Sequence, residues 1–271
     1  MPHPSRAFLS LWAGVALVVS GLFTASSATA ATPGPFVYDA LGDSYASGVG
    51  APPYDPASGA CARSASAYPE QLDGRMRIAL DDFAACAGAT TQTLVSGGQL
   101  GALDEDTDLV TLMIGGNDIF WGQAVGACLA GSDAQCAGAL GVATTAVTTL
   151  LPGRLDGVYA QVSDLAPNAH VVVVGYPRLF SPEYGAYIEA STTEQQALND
   201  GADLLNTVIA EHAAAYGFQF VDVTKRFDGH GVNADDPWIL GPGAGAFHPN
   251  EDGYHAYTVA LTSQIVPARL R

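Results

Sequence analysis

The most constraining feature of this sequence is a set of short apolar runs that are separated by helix-like stretches. The runs are rich in valine, leucine and aromatic residues, and their apolar character is continuous rather than alternating. Continuous runs of this length are typical of strands buried on both faces, as in a parallel sheet covered by helices. The expected strands are Phe36–Leu41, a shorter one near Asp82–Ala85, Leu109–Ile114, His170–Val174 and Phe218–Val223.

The stretches between and after these runs predict the covering helices. We expect a helix over Ala143–Leu165 that is broken or kinked at Pro152, a second over Glu194–Tyr216 that ends at Gly217, and a last one over Asn250–Ile265. Alternation of strands and helices predicts a doubly wound α/β domain with three layers and a central parallel sheet.

The first thirty residues read as a targeting segment rather than as part of this domain. Arg6 provides a positive start, Phe8–Phe23 is apolar, and Ala28-Thr29-Ala30 matches a small-residue cleavage site. We therefore expect residues 1–30 to be a secretory signal peptide cut near Ala30, and residues 31–271 to form one secreted domain. An uncleaved membrane anchor is the alternative. No other segment looks long and apolar enough to span a bilayer.

The chain is strongly acidic, with a formal net charge of −17 and a single lysine, Lys225. Nucleic acids and anionic membrane surfaces carry the same sign of charge, so both are poor partners for it. The charge otherwise indicates solubility, and the function has to be sought in the motifs.

Four cysteines lie in the predicted mature chain, at positions 61, 86, 128 and 136. An even number in an exported protein indicates disulfides, and three pairings are possible. Cys128 and Cys136 are close in sequence and flank a Gly-Ser-Asp turn, so we pair them and expect Cys61 to bond Cys86. Zinc ligation is the alternative, but there is no CxxC motif and no nearby histidine, so we expect no metal.

Four segments place chemically useful groups at strand ends or in loops. Ser44 follows the first strand, Gly88 the next, and Asn117 the strand Leu109–Ile114, while His248 precedes the last helix. The carboxyl ends of parallel strands line one crevice, so we expect Ser44, Gly88 and Asn117 to converge. A serine hydroxyl, a histidine base and N–H donors for a developing oxyanion are the parts of an acyl-transfer site.

These segments, in this order, resemble the conserved blocks of the SGNH hydrolases, the GDSL family of esterases and lipases. The matching text is Gly42-Asp43-Ser44, Gly88, Gly115-Gly116-Asn117-Asp118 and His248-Pro249, and the resemblance runs from about Phe36 to Tyr257. It implies a flavodoxin-like three-layer sandwich and an esterase or lipase with no metal and no organic cofactor. The text around Ser47-Gly48 and Cys61, and the two expected disulfides, look like the secreted actinobacterial branch of the family.

The resemblance also implies a role for each matching residue. Ser44 corresponds to the nucleophile and His248 to the base, and the oxyanion donors are the N–H groups of Ser44 and Gly88 and the side chain of Asn117. The reaction would then be hydrolysis of a carboxylic ester through an acyl-enzyme.

One position departs from the family pattern. Many members carry an aspartate three residues before the catalytic histidine, and this chain has Gly245 there. We expect the main-chain carbonyl of Gly245 to orient His248 in a Ser–His dyad. The alternative is a carboxylate that reaches in from the loop, from Asp228, Asp235 or Asp236.

The substrate is less constrained than the reaction. One alternative function is a carbohydrate esterase that removes acetyl groups from glycans, and another is a non-catalytic binding protein on a hydrolase scaffold, which the departure at Gly245 suggests. We expect a monomer that acts on a small-molecule or lipid ester without stable membrane insertion. The aromatic residues considered for an acyl pocket are Tyr54, Trp121, Tyr176, Phe180 and Trp238.

Overall fold

In the described part of the chain, a five-stranded parallel sheet forms the centre of the structure. The computed structural model describes residue 1 and residues 34–270, so the predicted signal peptide lies outside the described residues apart from Met1. The spatial order of the strands is β2-β1-β3-β4-β5, and every neighbouring pair is parallel. The strands are β1 (Phe36–Gly42), β2 (Ile78–Phe83), β3 (Leu109–Met113), β4 (His170–Val174) and β5 (Gln219–Val221).

The three central strands confirm the expectation drawn from their continuous apolar runs. All of β3 and most of β1 and β4 are buried, because helices cover both faces of the sheet. The chain leaves β1 toward one edge and later returns beside it as β3. The carboxyl ends of β1 and β3 therefore meet at the point where the strand order reverses, which is where ligands bind in sheets of this kind.

The two edge strands differ from the expectation. β2 begins at Ile78 rather than near Asp82, because Asp81 and Asp82 are exposed at the sheet edge and interrupt the apolar pattern. β5 ends at Val221, because the side chain of Asp222 accepts hydrogen bonds of 2.8 Å from the backbone N–H and the hydroxyl of Thr224 and turns the chain.

The helices pack in two groups that enclose the sheet and complete the three predicted layers. Helices α2, α8 and α9 form one group, and α3 to α7 form the other. The helices are α1 (Ser44–Ser47), α2 (Tyr68–Leu72), α3 (Thr91–Ser96), α4 (Trp121–Ala130), α5 (Asp133–Thr149), α6 (Leu151–Leu165), α7 (Thr192–Ala215), α8 (Thr224–Phe227) and α9 (Glu251–Gln264).

The helix expected from Ala143 is in fact two helices, and the first begins ten residues earlier. Ser132 and Gln135 form a capping box that starts α5. The chain bends by 44° between α5 and α6, at Leu150, and Pro152 occupies the first turn of α6, where its missing N–H costs no helical hydrogen bond.

Two disulfides tie connecting segments to this framework, and both have the expected pairing. Cys61–Cys86 joins the long loop after α1 to the segment that follows β2, and Cys128–Cys136 joins the end of α4 to the first turn of α5.

Among the helices that the structure describes, none is by itself long and apolar enough to cross a membrane. The bent pair of α5 and α6 passes that test only when the two are taken together, on length and composition.

Candidate active site

Ser44 lies at the carboxyl end of β1, at the point where the strand order reverses. Asp43 ends the extended segment and caps α1, because its side chain accepts a hydrogen bond from the backbone N–H of Tyr45 at 2.9 Å. Ser44 is thus the first residue of a short helix, and its Oγ lies 2.7 Å from Nε2 of His248. The expected serine–histidine pair is within hydrogen-bond distance, although 204 residues separate its members.

The imidazole of His248 is oriented by main-chain carbonyls, that of Ala246 and, beside it, the expected one of Gly245. Nδ1 lies 2.9 Å from the carbonyl oxygen of Ala246, while the carbonyl of Gly245 accepts the backbone N–H of His248 at 3.1 Å. The tight turn at residues 245–248 brings both carbonyls close to the ring, with that of Ala246 facing Nδ1. Burial lowers the pKa of His248 below its ordinary value of 6.5, and hydrogen bonds to the carbonyls of Ala246 and Gly245 partly oppose this.

The loop that carries His248 is braced by the segment around the nucleophile. The ring of Tyr45 packs against the imidazole with centroids 4.8 Å apart, and its hydroxyl donates to the carbonyl of Phe247. Gly50, in the long loop after α1, passes so close that a Cβ there would lie 3.1 Å from Cβ of His248 and would collide with the carbonyl of Pro249. His248 is therefore held in place by Tyr45 and Gly50, two residues of the segment that follows Ser44.

The predicted oxyanion donors lie on neighbouring segments but do not all line the same cavity. Within the described residues, the N–H groups of Ser44 and Gly88 have no hydrogen-bond acceptor. Nδ2 of Asn117 donates to the carbonyl of Ala89 at 2.9 Å, which leaves its second hydrogen free. Asn117 lines the cavity at Ser44, whereas Gly88 lines a neighbouring one, and the Asn117–Ala89 bond joins the two walls.

Two buried carboxylates hold these segments together, and sequence reasoning gave neither of them a role. The first is Asp43, whose Oδ2 accepts a 2.6 Å hydrogen bond from the hydroxyl of Tyr176, which in turn accepts the N–H of Gly116 at 3.1 Å. Burial raises the pKa of Asp43 to about 7, although hydrogen bonds from Tyr176 and from the N–H of Tyr45 act in the opposite direction. The segments of Ser44 and Asn117 are thereby joined.

The second buried carboxylate is Asp118, the neighbour of Asn117. It accepts the hydroxyl of Thr91 at 2.6 Å, the N–H of Thr91 at 2.9 Å and Nη1 of Arg154 at 2.8 Å. Thr91 begins α3, three residues after Gly88, so this carboxylate fixes the Asn117 segment against the Gly88 segment. The sequence signal that could have indicated this role is the acidic residue itself, which follows a buried strand, the pair Gly115-Gly116 and Asn117.

The cavity at Ser44 has a volume of about 220 Å³ and a largely apolar wall. Of the aromatic residues considered for an acyl pocket, Trp121 and Tyr176 line it, and Phe247, which was not considered, does so as well. Tyr54 lines a different cavity, and Trp238 stacks on His230. The rest of the wall comes from α4, from α7 and from Pro177 and Leu179.

Among the described residues, one group of three carboxylates has oxygens within 4.8 Å of one another, at Asp39, Asp81 and Asp82. Asp39 already accepts the hydroxyl of Thr107 at 2.7 Å and the N–H of Asp82 at 3.1 Å. The group lies on β1 and β2 and does not line the cavity at Ser44.

A serine hydroxyl bonded to a histidine, beside N–H groups without acceptors and at the switch point of a doubly wound sheet, defines a serine hydrolase type of site. The comparisons with known proteins identify the family. The model of the GDSL-like lipase/acylhydrolase family matches residues 40–256, and the chain belongs to that family.

Relatives and solved structures agree with this assignment. The chain is 45% identical to Lipase 1 of Streptomyces coelicolor over 231 residues, which is 85% of this chain and 84% of that protein. The crystal structure of phospholipase A1 from Streptomyces albidoflavus NA297 is similar with a TM-score of 0.80 at 40% identity, covering 85% of this chain and all of that one. An extracellular lipase from Streptomyces rimosus has the same TM-score and coverage at 36% identity. The chain is an acyl ester hydrolase of the GDSL type.

Proposed function

We propose that this hydrolase cleaves lipid-like acyl esters through an acyl-enzyme on Ser44, with His248 as the base. The observation that carries the proposal is the 2.7 Å distance between Oγ of Ser44 and Nε2 of His248. Burial keeps the imidazole neutral and therefore able to accept a proton, and the carbonyl of Ala246 fixes the tautomer that has its proton on Nδ1.

The reaction then runs in two halves. In the first, Oγ of Ser44 attacks the ester carbonyl carbon while its proton moves to Nε2 of His248. The negative charge on the carbonyl oxygen is stabilised by the N–H groups of Ser44 and Gly88 and by the amide of Asn117. Collapse of this intermediate expels the alcohol, which takes the proton from Nε2. In the second half, water replaces the alcohol, and the acid is released as Ser44 recovers its proton.

The wall of the cavity supports an acyl chain as the group beside the reacting carbon. The side chains of Trp121, Val125, Leu179, Leu205 and Phe247 are apolar, whereas a glycan would need hydrogen-bonding partners there. Relatives that are named lipase and phospholipase A1 are consistent with this choice. The two rival functions are then distinguished by an ester panel that includes acetylated xylan and by covalent labelling.

We also propose that the protein is exported, with the signal peptide removed near Ala30, and that the mature domain of residues 31–271 acts as a monomer. Two disulfides support an oxidising compartment. Intact-mass measurement of the secreted protein tests the cleavage site, because a mass that includes residues 1–30 would contradict it. Light scattering of the same sample tests the monomer.

The test of the mechanism is covalent labelling with a 4-nitrophenyl alkylphosphonate, followed by peptide mapping. The wild type should release one equivalent of 4-nitrophenol and carry the phosphonyl group on Ser44. Ser44→Ala should remain unlabelled and lose roughly 10⁴-fold or more in kcat. Ser96→Ala, at an exposed serine on α3, is the matched control and should behave as wild type. Labelling at another residue, or full activity in Ser44→Ala, would refute the mechanism.

A further inference from the structure

Two glycines of helix α4, Gly122 and Gly126, line the cavity at Ser44 beside the side chains of Trp121 and Val125. Gly122 and Gly126 are four residues apart, so they lie one above the other on one face of the helix. Both line the cavity, and no heavy atom lies within 4 Å of the position that a Cβ would occupy at either residue. Both glycines are also exposed to solvent, so the space next to them is open and lies on the solvent side of the catalytic cavity.

Helix stability does not account for these glycines. Gly126 lies in the interior of α4, where glycine is among the least favourable residues, while Gly122 lies in the first turn of this ten-residue helix. The helix is held in place by other contacts, since Val125 and Leu129 are buried and Cys128 is bonded to Cys136. Alanine or leucine at positions 122 and 126 would suit the helix better, but each would project into the cavity.

The wall that faces this glycine surface is apolar and firmly packed. Ala202 and Leu205 of α7 and Leu179 contribute to it. Gly201 supports the indole of Trp121 so closely that a Cβ there would lie 2.7 Å from the ring. The cavity is thus a groove between α4 and α7 whose width at positions 122 and 126 depends on the absence of side chains there.

We propose that Gly122 and Gly126 determine the acyl-chain length that this enzyme accepts, by forming a smooth surface along which the chain lies. The inference rests on the proposed function, because it assumes that the acyl group of the ester enters this cavity. At about 30 Å³ for a water-sized group, a cavity of 220 Å³ holds roughly seven such groups. Together with the carbonyl carbon at Ser44, seven groups make an acyl chain of about eight carbons. The preferred substrates are therefore esters of medium-length fatty acids.

The size of the effect follows from the volume that a new side chain would occupy. A leucine at position 126 adds four carbons and displaces at least three methylenes of a bound octanoyl chain. Each buried methylene contributes about fourfold to binding of the transition state, so three of them correspond to roughly 50-fold. Acetyl and butanoyl groups fill much less of the cavity, and we expect their esters to lose almost nothing.

The experiment compares kcat/KM for 4-nitrophenyl esters from acetate to palmitate in wild type, Gly126→Leu, Gly122→Leu and Gly126→Ala. Gly138→Leu is the matched control, because Gly138 is an exposed glycine on α5 that has equally open space around it and does not line the cavity. We expect the leucine variants to lose roughly 50-fold on octanoate and less than twofold on acetate. Gly126→Ala, which favours the helix, should show a loss of about fourfold on octanoate and covers the case in which a leucine variant does not fold.

A second series separates the acyl groove from a groove for the alcohol. Acetate esters of alcohols with increasing chain length should react equally with wild type and Gly126→Leu. The inference is overturned if wild type is labelled at Ser44 by the phosphonate and yet Gly126→Leu and Gly126→Ala keep the wild-type acyl-chain profile, or if only the alcohol series changes. If wild type itself is not labelled at Ser44, the proposed function has failed instead.

Discussion

The buried carboxylate of Asp118 offers the sharpest test of how this site is held together. The substitution Asp118→Asn keeps the size and shape of the side chain and replaces one carboxylate oxygen with an NH₂ group. Asp118 accepts three hydrogen bonds on its two oxygens, two from Thr91 and one from Arg154. An amide has one acceptor oxygen, so its NH₂ must face either the N–H of Thr91 or the guanidinium of Arg154.

The expected cost follows from the burial of the group. The side chain of Asp118 is fully buried, and leaving a buried donor without an acceptor costs about 1–3 kcal/mol. Loss of the negative charge also weakens the hydrogen bonds that remain. Arg154 is about one-third exposed, so water can accept some of the hydrogen bonds of its guanidinium. Its hydrogen bond to Asp118 therefore contributes less to the free energy of unfolding than a fully buried one would. We expect the free energy of unfolding to fall by about 2–3 kcal/mol and the Tm by about 5–10 °C.

The measurements are urea unfolding, thermal unfolding and steady-state hydrolysis. Because Asp118 holds the Asn117 segment against the Gly88 segment, we expect kcat to fall by roughly 10- to 100-fold, with a smaller change in KM. Asp203→Asn is the matched control. Its carboxylate makes a bidentate pair with Arg178 at 3.0 and 2.7 Å, but more than one-third of each side chain is exposed.

We expect the control to lose at most about 1 kcal/mol and to keep its kcat, because exposed ion pairs contribute little. The reasoning would be refuted if Asp118→Asn were no less stable than Asp203→Asn. It would also be refuted if Asp118→Asn lost stability while kcat stayed at the wild-type value, because the carboxylate would then support the fold without positioning the site.

Two further predictions concern the base and the first disulfide. Hydrolysis needs neutral His248, and burial lowers the pKa of its imidazole below 6.5. We therefore expect the acid limb of the kcat/KM profile to have its midpoint below pH 6.5. A midpoint above that value would contradict the burial argument. Replacement of Cys61 and Cys86 by serine should lower the free energy of unfolding by about 3 kcal/mol. It should also lower kcat, because this disulfide joins the long loop to the segment of Gly88. The double serine variant at positions 128 and 136 should affect kcat less. Equal kcat values in the two folded variants would show that the Cys61–Cys86 disulfide does not support the active site.

Some parts of the fold were accessible from the sequence because they depend on local pattern. The strands β1, β3 and β4 are largely buried on both faces, so their runs are mostly apolar without alternation and their positions were predicted within one or two residues. The edge strand β2 was misplaced because it carries exposed polar residues, Asp81 and Asp82, and depends on its neighbour for definition, whereas β5 lies inside its predicted range and is only shorter. The start of α5 was missed although its capping box is local, because the small residues after it lack an amphipathic pattern.

The sequence by itself determined the order of the strands and of the longer helices after β3, the segment that carries Ser44, and the histidine that the family resemblance pairs with it. These depend on burial periodicity, turn chemistry and short motifs, which are properties of neighbouring residues. Only the tertiary structure decided that Nδ1 of His248 faces the carbonyl of Ala246 at 2.9 Å, because the direction of each carbonyl in a tight turn depends on how the whole loop packs.

The same holds for the partners of Asp118 and for the glycine surface of α4. Arg154 is 36 residues from Asp118, and the walls of the groove come from helices far apart in the chain. Whether a side chain positions other residues, or a glycine leaves room for a groove, depends on which distant elements packing brings together.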